Sequence, residues 1–216
     1  SEVLKVPSIL AANFHASLLP QYRGKHPDFW ALRNSEKWAG LTVHAMDEGI
    51  DTGDILYQVK VRTRREDSVA SLYERIMARS LPLVAQLVVD ADSGSIPRRS
   101  QPERSGSYYS GTTDEDFRLD WHWPAEKIHC FVATTPGKCY TELRGQRVHF
   151  LNAKCEQVAQ EASAGTLLSI RRSYAAVAAN PGVISSSCVQ VEGQEAETFA
   201  TLCRRLGLVP GDTLLV

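Results

Sequence analysis

Two β-rich runs, Leu41 to Met46 and Asp54 to Thr63, flank a short turn that reads Gly49-Ile50-Asp51-Thr52-Gly53-Asp54. Glycines on both sides of Asp51 hold its carboxylate on a tight loop, and the flanking strands give that loop a rigid support. Upstream, Ala11 to Ala16 reads as the end of a strand. Residues two apart in an extended chain share a face, so Asn13 and His15 project together. An amide, an imidazole and a carboxylate are thus placed where one reaction could use all three.

The elements around these residues alternate between helix and strand. Pro27 opens a short helix over Asp28 to Asn34. From Asp67 the apolar residues Val69, Leu72, Ile76, Leu83 and Leu87 form a helical stripe behind a cap at Asp67 or Ser68, and Pro82 is expected to kink or divide that helix. Ser93 to Thr113 is rich in Ser, Gly, Arg and Pro with almost no aliphatic residues, which predicts a surface linker. Beyond it Pro124 opens a helix. Short strands then follow over Cys139 to Leu143, Arg147 to Leu151, Gly165 to Ile170, Tyr174 to Ala178 and Val183 to Val191, with a last helix over Glu195 to Leu206. Repeated short strands with turn signals suggest a small open barrel. The expected fold class is therefore α/β, with a first domain at 1–96, a linker at 97–115 and a β-barrel domain at 116–216.

Formal charge is -1, from 24 basic and 25 acidic residues, so no global field draws a polyanion. The five cysteines form no C-x-x-C pair and are odd in number, as expected of reduced thiols in the cytoplasm. No run approaches the ~20 apolar residues of a membrane span.

The ordered pattern Asn13-Phe14-His15-Ala16-Ser17-Leu18-Leu19-Pro20, then Tyr22-Arg23-Gly24, then Thr42-Val43-His44 and Asp47-Glu48-Gly49-Ile50-Asp51-Thr52-Gly53-Asp54, resembles the folate-dependent formyltransferase family. Weaker likeness continues through Asp116-Phe117-Arg118-Leu119-Asp120-Trp121 into the C-terminal part. The resemblance implies part of a doubly wound formyltransferase-type sheet followed by a small OB-like barrel, with 10-formyltetrahydrofolate as formyl donor. It also implies that the motif strand normally lies in mid-sheet, after earlier strands and helices that help form the folate cleft. Here it lies near the first residue, so the earlier elements are expected to be disordered, cleaved away, absent from the gene or supplied by another chain, a homodimer or a separate N-terminal chain then completing the sheet.

Formyl transfer to an amine passes through a tetrahedral intermediate, which needs an oxyanion donor and a proton acceptor but neither a side-chain nucleophile nor a metal. By the resemblance Asn13, His15 and Asp51 are the catalytic residues. Asn13 and a charged His15 donate to the oxyanion. Asp51 holds His15 in its protonated form and accepts the amine's proton. Asp47, Glu48, Gly49 and Ile50 would present backbone groups to the pterin, and Ser17, Tyr22 and Arg23 would line the path to the acceptor. His44 reads as structural. From Asp116 to Val216 ten Lys and Arg face ten Asp and Glu, so tRNA is less expected than a small amine, either an amino sugar nucleotide or a natural-product intermediate. Two further readings are a 10-formyltetrahydrofolate hydrolase, with water replacing the amine, and an inactive folate-binding module.

Overall fold

The computed structural model describes residues 2–64, 66–102 and 106–214 and divides into two units, 1–112 and 113–216. Arg104, part of a basic cluster with Arg98 and Arg99 in the sequence, lies outside the described residues.

The first unit contains β1 (Ala12–His15), β2 (Arg23–Gly24), α1 (Pro27–Arg33), β3 (Trp38–Ala45), β4 (Ile55–Arg62), α2 (Val69–Asp92) and β5 (Tyr108–Tyr109), after a short 3-10 turn at Glu2–Lys5. Its main sheet has the order β1-β3-β4, and both pairings are antiparallel. Strand β3 is buried on both faces from Ala39 to Ala45. Its odd-numbered residues, Ala39, Leu41, Val43 and Ala45, join Leu72 and Ile76 of α2 in one apolar cluster. Strand periodicity sends its even-numbered residues, Thr42 and His44, to the other face. The register sets Asn13 opposite His44 and His15 opposite Thr42, so all four share that second face. One face of the sheet is core and the other carries the polar site.

Ser68 caps α2 in a reciprocal capping box with Ser71. The helix continues through Pro82 as one element, which corrects the expectation that it would divide there. Pro82 and Ala78, whose carbonyl loses its helical donor at the proline, both lie on the exposed side, where water can replace the missing bond.

The stretch expected as a linker is tied to the first unit along much of its length. Ile55 and Arg99 exchange two backbone hydrogen bonds, and β5 pairs in parallel with β2. Tyr109 stacks on Trp30 at 4.2 Å and on Tyr22 at 5.6 Å between ring centroids. Stitching of this kind uses backbone groups and isolated side chains, so it leaves no apolar periodicity in the sequence.

The second unit contains α3 (Ala125–Thr134), β6 (Tyr140–Leu143), β7 (Gln146–Phe150), β8 (Lys154–Glu156), β9 (Leu167–Ile170), β10 (Ala175–Ala178), β11 (Val183–Ser186), β12 (Val189–Val191), β13 (Ala196–Glu197) and α4 (Phe199–Arg205). Two open four-stranded sheets result, β8-β11-β10-β9 and β13-β12-β7-β6. Trp121, Phe150 and Phe199 pack edge to face at the core. The run Val183 to Val191 is two strands in different sheets, and α4 starts later than expected because Thr198 caps it after β13.

Candidate active site

Asp51 occupies a left-handed backbone position, φ 55°, in the turn between β3 and β4. Gly53 makes this turn possible: a Cβ there would stand 1.8 Å from the Ala45 carbonyl oxygen. The turn folds back over the polar face of the sheet and brings the Asp51 carboxylate between two buried imidazoles. His44 Nε2 is 3.3 Å from Oδ1 and His15 Nδ1 is 3.6 Å from Oδ2. Asn13 Nδ2 lies 3.3 Å from Oδ1 and 3.2 Å from His44 Nε2, while the Gly24 backbone N–H donates to Oδ2 at 2.9 Å.

The protons on the imidazoles follow from their other partners. His15 Nε2 meets the Tyr22 carbonyl oxygen at 2.7 Å, and His44 Nδ1 meets the Ala45 carbonyl oxygen at 2.8 Å. A carbonyl only accepts, so each of these nitrogens carries hydrogen. The remaining nitrogen of each ring faces Asp51, where a second proton would make an imidazolium paired with the carboxylate. Burial pushes the Asp51 carboxyl up. The hydrogen bond with His44, the Gly24 N–H and the charges of His15 and His44 outweigh burial and hold it at about 2.

The structure thus brings Asn13, His15 and Asp51 together and adds His44, which the sequence reading treated as structural. The signal that could have found it is the alternation of β3, which sets His44 on the Asn13 face and away from the core. His15 Nε2 is held by the Tyr22 carbonyl with Nδ1 3.6 Å from Asp51, and the Asn13 amide N–H groups lie on the same face against Asp51 Oδ1 and His44 Nε2. His15 is 7% exposed, buried in the unit and not on an exposed rim.

The other expected site residues are engaged locally. Asp47 braces its own loop by accepting from the Gly49 N–H and the Thr52 hydroxyl, which leaves Ile50 projecting at 58% exposure. Ser17 donates to the Gln21 carbonyl at 2.7 Å, and Tyr22 donates to Glu36 at 2.7 Å. Burial and the Glu36 carboxylate push the Tyr22 phenol up, so it remains a donor. These two residues line a cavity of about 190 Å³ with Ala31, Trp38 and Lys60. The Arg23 guanidinium is held by Gln101. Among the described residues no cluster of three or more His, Cys, Asp or Glu is placed to hold a metal ion, and no helix is long and apolar enough to cross a membrane.

Comparison with known proteins gives matches across both units. Residues 1–86 match the formyl transferase family model, and residues 112–207 match the formyl transferase C-terminal domain. The methionyl-tRNA formyltransferase of Synechococcus sp. (strain JA-3-3Ab) is 35% identical over 156 residues, covering 72% of this chain and 48% of that protein. The cytosolic 10-formyltetrahydrofolate dehydrogenase of Mus musculus is 34% identical over 156 residues, 70% of this chain and 17% of that protein. A crystal structure of an N-formyltransferase from Helicobacter canadensis, in complex with folinic acid and dTDP-3-aminofucose, shares the fold with a TM-score of 0.63. It is 19% identical and covers 82% of this chain and 65% of that one. The chain spans about half the length of the first curated relatives it matches. On these matches and the motif residues gathered around Asp51, the chain belongs to the folate-dependent formyltransferase family.

Proposed function

We propose that this chain carries the catalytic residues for formyl transfer from 10-formyltetrahydrofolate to the amine of a small molecule, an amino sugar nucleotide or a natural-product intermediate. The observation that carries the reading is the Asp51 carboxylate set between His15 and His44, with the Asn13 amide on the same face. An amide N–H, a carboxylate and two imidazoles form the donor and acceptor set that a formyl oxygen and an attacking amine require.

The bound donor supplies a formyl group on nitrogen. The amine nitrogen bonds to the formyl carbon, the bond from that carbon to the folate nitrogen breaks, and the amine's proton ends on the folate nitrogen. Asn13 donates an N–H to the formyl oxygen as negative charge grows there. Asp51 accepts the amine's proton, and His15, 3.6 Å from its carboxylate, stabilises that charge between transfers. The loop Asp47 to Ile50 supplies backbone groups to the pterin ring. Ser17, Tyr22 and Arg23 shape the acceptor side through the contacts they hold in place. We further infer that another strand, from a second copy or a separate chain, adds to β1, which pairs on one side only among the described strands.

A second reading, methionyl-tRNA as acceptor, is favoured by the relatives that carry that name. The balance of ten basic and ten acidic residues from Asp116 to Val216 weighs against it.

The test follows tetrahydrofolate release from 10-formyltetrahydrofolate with amino sugar nucleotides, with methionyl-tRNA and with no acceptor. Acceptor-dependent release that falls at least ~100-fold in His15→Asn and Asp51→Asn is expected. Equal release without acceptor would convert the reading to a hydrolase. Folded protein that binds no donor would leave only an inactive module.

A further inference from the structure

Gln101 lies in the stretch that composition marks as a linker, yet its amide is fully engaged. Nε2 donates to the Asp51 carbonyl at 2.8 Å and to the Gly53 carbonyl at 2.7 Å, while Oε1 accepts from Arg23 Nε at 3.2 Å and from its terminal nitrogen at 2.7 Å. Two donors and two lone pairs are all that a carboxamide has. The side chain therefore ties the main chain of the Asp51 turn to β2 and leaves no capacity for water.

Its neighbours hold it from both ends. On one side Arg99 exchanges backbone hydrogen bonds with Ile55 and donates a guanidinium N–H to Gln58. On the other, the Ser107 hydroxyl accepts from the Tyr22 N–H at 2.8 Å, and the Ser107 and Tyr109 carbonyls accept from the Arg23 and Lys25 N–H groups. The same β2 segment presents the Gly24 N–H to Asp51 Oδ2. Asp51 is gripped twice, by Gln101 through its main chain and by Gly24 through its carboxylate, with Arg23 linking the two grips. Its left-handed backbone, costly for a non-glycine residue, is the kind of conformation that persists only where surrounding contacts over-determine it.

We propose that Gln101 is a positioning residue that fixes the Asp51 turn, and so aims the carboxylate between His15 and His44. Removing the amide frees the turn to relax and swings the carboxylate away from both rings. The catalytic consequence rests on the formyl-transfer reading; the positioning itself does not.

The test uses the full chain with Gln101→Met, which keeps the length of the side chain and loses all four bonds. The readout is titration of the Asp51 carboxyl by carbon-13 NMR. Other charged groups near the carboxylate, namely His15, His44, Arg23, Asp47 and Asp54, are unchanged in the variant. The expected result is a titration midpoint shifted upward from about 2 in a folded protein. Steady-state rates with donor and amine should show kcat down roughly 10- to 100-fold and KM within about twofold, the pattern of a misplaced catalytic group. An Asp51 titration identical to that of the parent chain overturns the proposal. Should Gln101→Met not fold, Gln101→Asn, which keeps an amide one methylene too short to reach both carbonyls, is read by the same criterion. An upward shift in Asp51 with no formyl transfer by the parent chain would support the positioning role and sink the functional reading alone.

Discussion

His44 Nε2 sits 3.3 Å from Asp51 Oδ1, and the ring's other nitrogen is fixed by the Ala45 carbonyl, so the imidazole cannot turn away without losing a buried hydrogen bond. Of the interactions that lower the Asp51 carboxyl, the hydrogen bond with His44 is the largest. Replacing His44 with Leu removes it and leaves the Gly24 N–H and His15. The Asp51 midpoint is expected to rise by one unit or more, and formyl transfer to fall about 10-fold or more. Carbon-13 NMR of the carboxyl and a pH–rate profile check both. An unmoved midpoint would return His44 to a purely structural role.

Asp51 also makes folding depend on pH. Its carboxyl, at about 2 in the folded chain against an ordinary value of 3.8, is depressed, so its contribution to stability is present above the unfolded value and is lost as pH falls through the folded one. The stability difference between the parent chain and Asp51→Asn should shrink as pH falls between about pH 4 and 2. Urea melts at several pH values measure it. A difference that stayed flat to pH 2 would mean that Asp51 is not held in its ionised form.

Much of this site is legible in the sequence because its parts follow simple periods. Asn13 and His15 share a face by strand alternation, and glycine-flanked Asp51 must sit on a tight turn. His44 obeys the same alternation, but what lies over that face of β3 depends on how the turn folds back, which no local pattern records. Gln101 was hidden for another reason. A segment held by side-chain amides and backbone bonds needs no aliphatic residues, so it has the composition of a solvated linker. The helix through Pro82 shows the converse: a strong local breaker is tolerated where the unpaired carbonyl faces water.

The outer side of α2 carries Leu81, Val84, Val88 and Val89, each at least half exposed. With β1 paired on one side only among the described strands, these residues offer apolar surface of the kind that drives association. The purified chain is expected to self-associate with rising concentration. The double variant Val84→Glu and Val88→Glu should be more monomeric in sedimentation velocity, with its melting changed by no more than ~0.5 kcal/mol because neither side chain packs in the core. Equal association of the parent and the double variant would remove this face from any interface.

Gly49 and Gly53 bracket Asp51, and they are not equivalent. A Cβ on Gly49 would approach the Thr52 hydroxyl at 2.0 Å, a side-chain atom that can rotate away at the cost of its bond to Asp47. A Cβ on Gly53 would stand 1.8 Å from the Ala45 carbonyl oxygen, which belongs to the backbone of β3 and accepts from His44 Nδ1. In that case the turn itself must move, and the carboxylate and the His44 ring move with it. Gly53→Ala should therefore destabilise the first unit by about 1–3 kcal/mol and cost more activity than any stability loss explains, whereas Gly49→Ala should cost ~1 kcal/mol or less and keep most of the rate. Thermal melts and kcat values for the two variants side by side make the comparison. If Gly49→Ala proved the more damaging of the two, the close approach of the turn to β3 would not be what holds Asp51 in place.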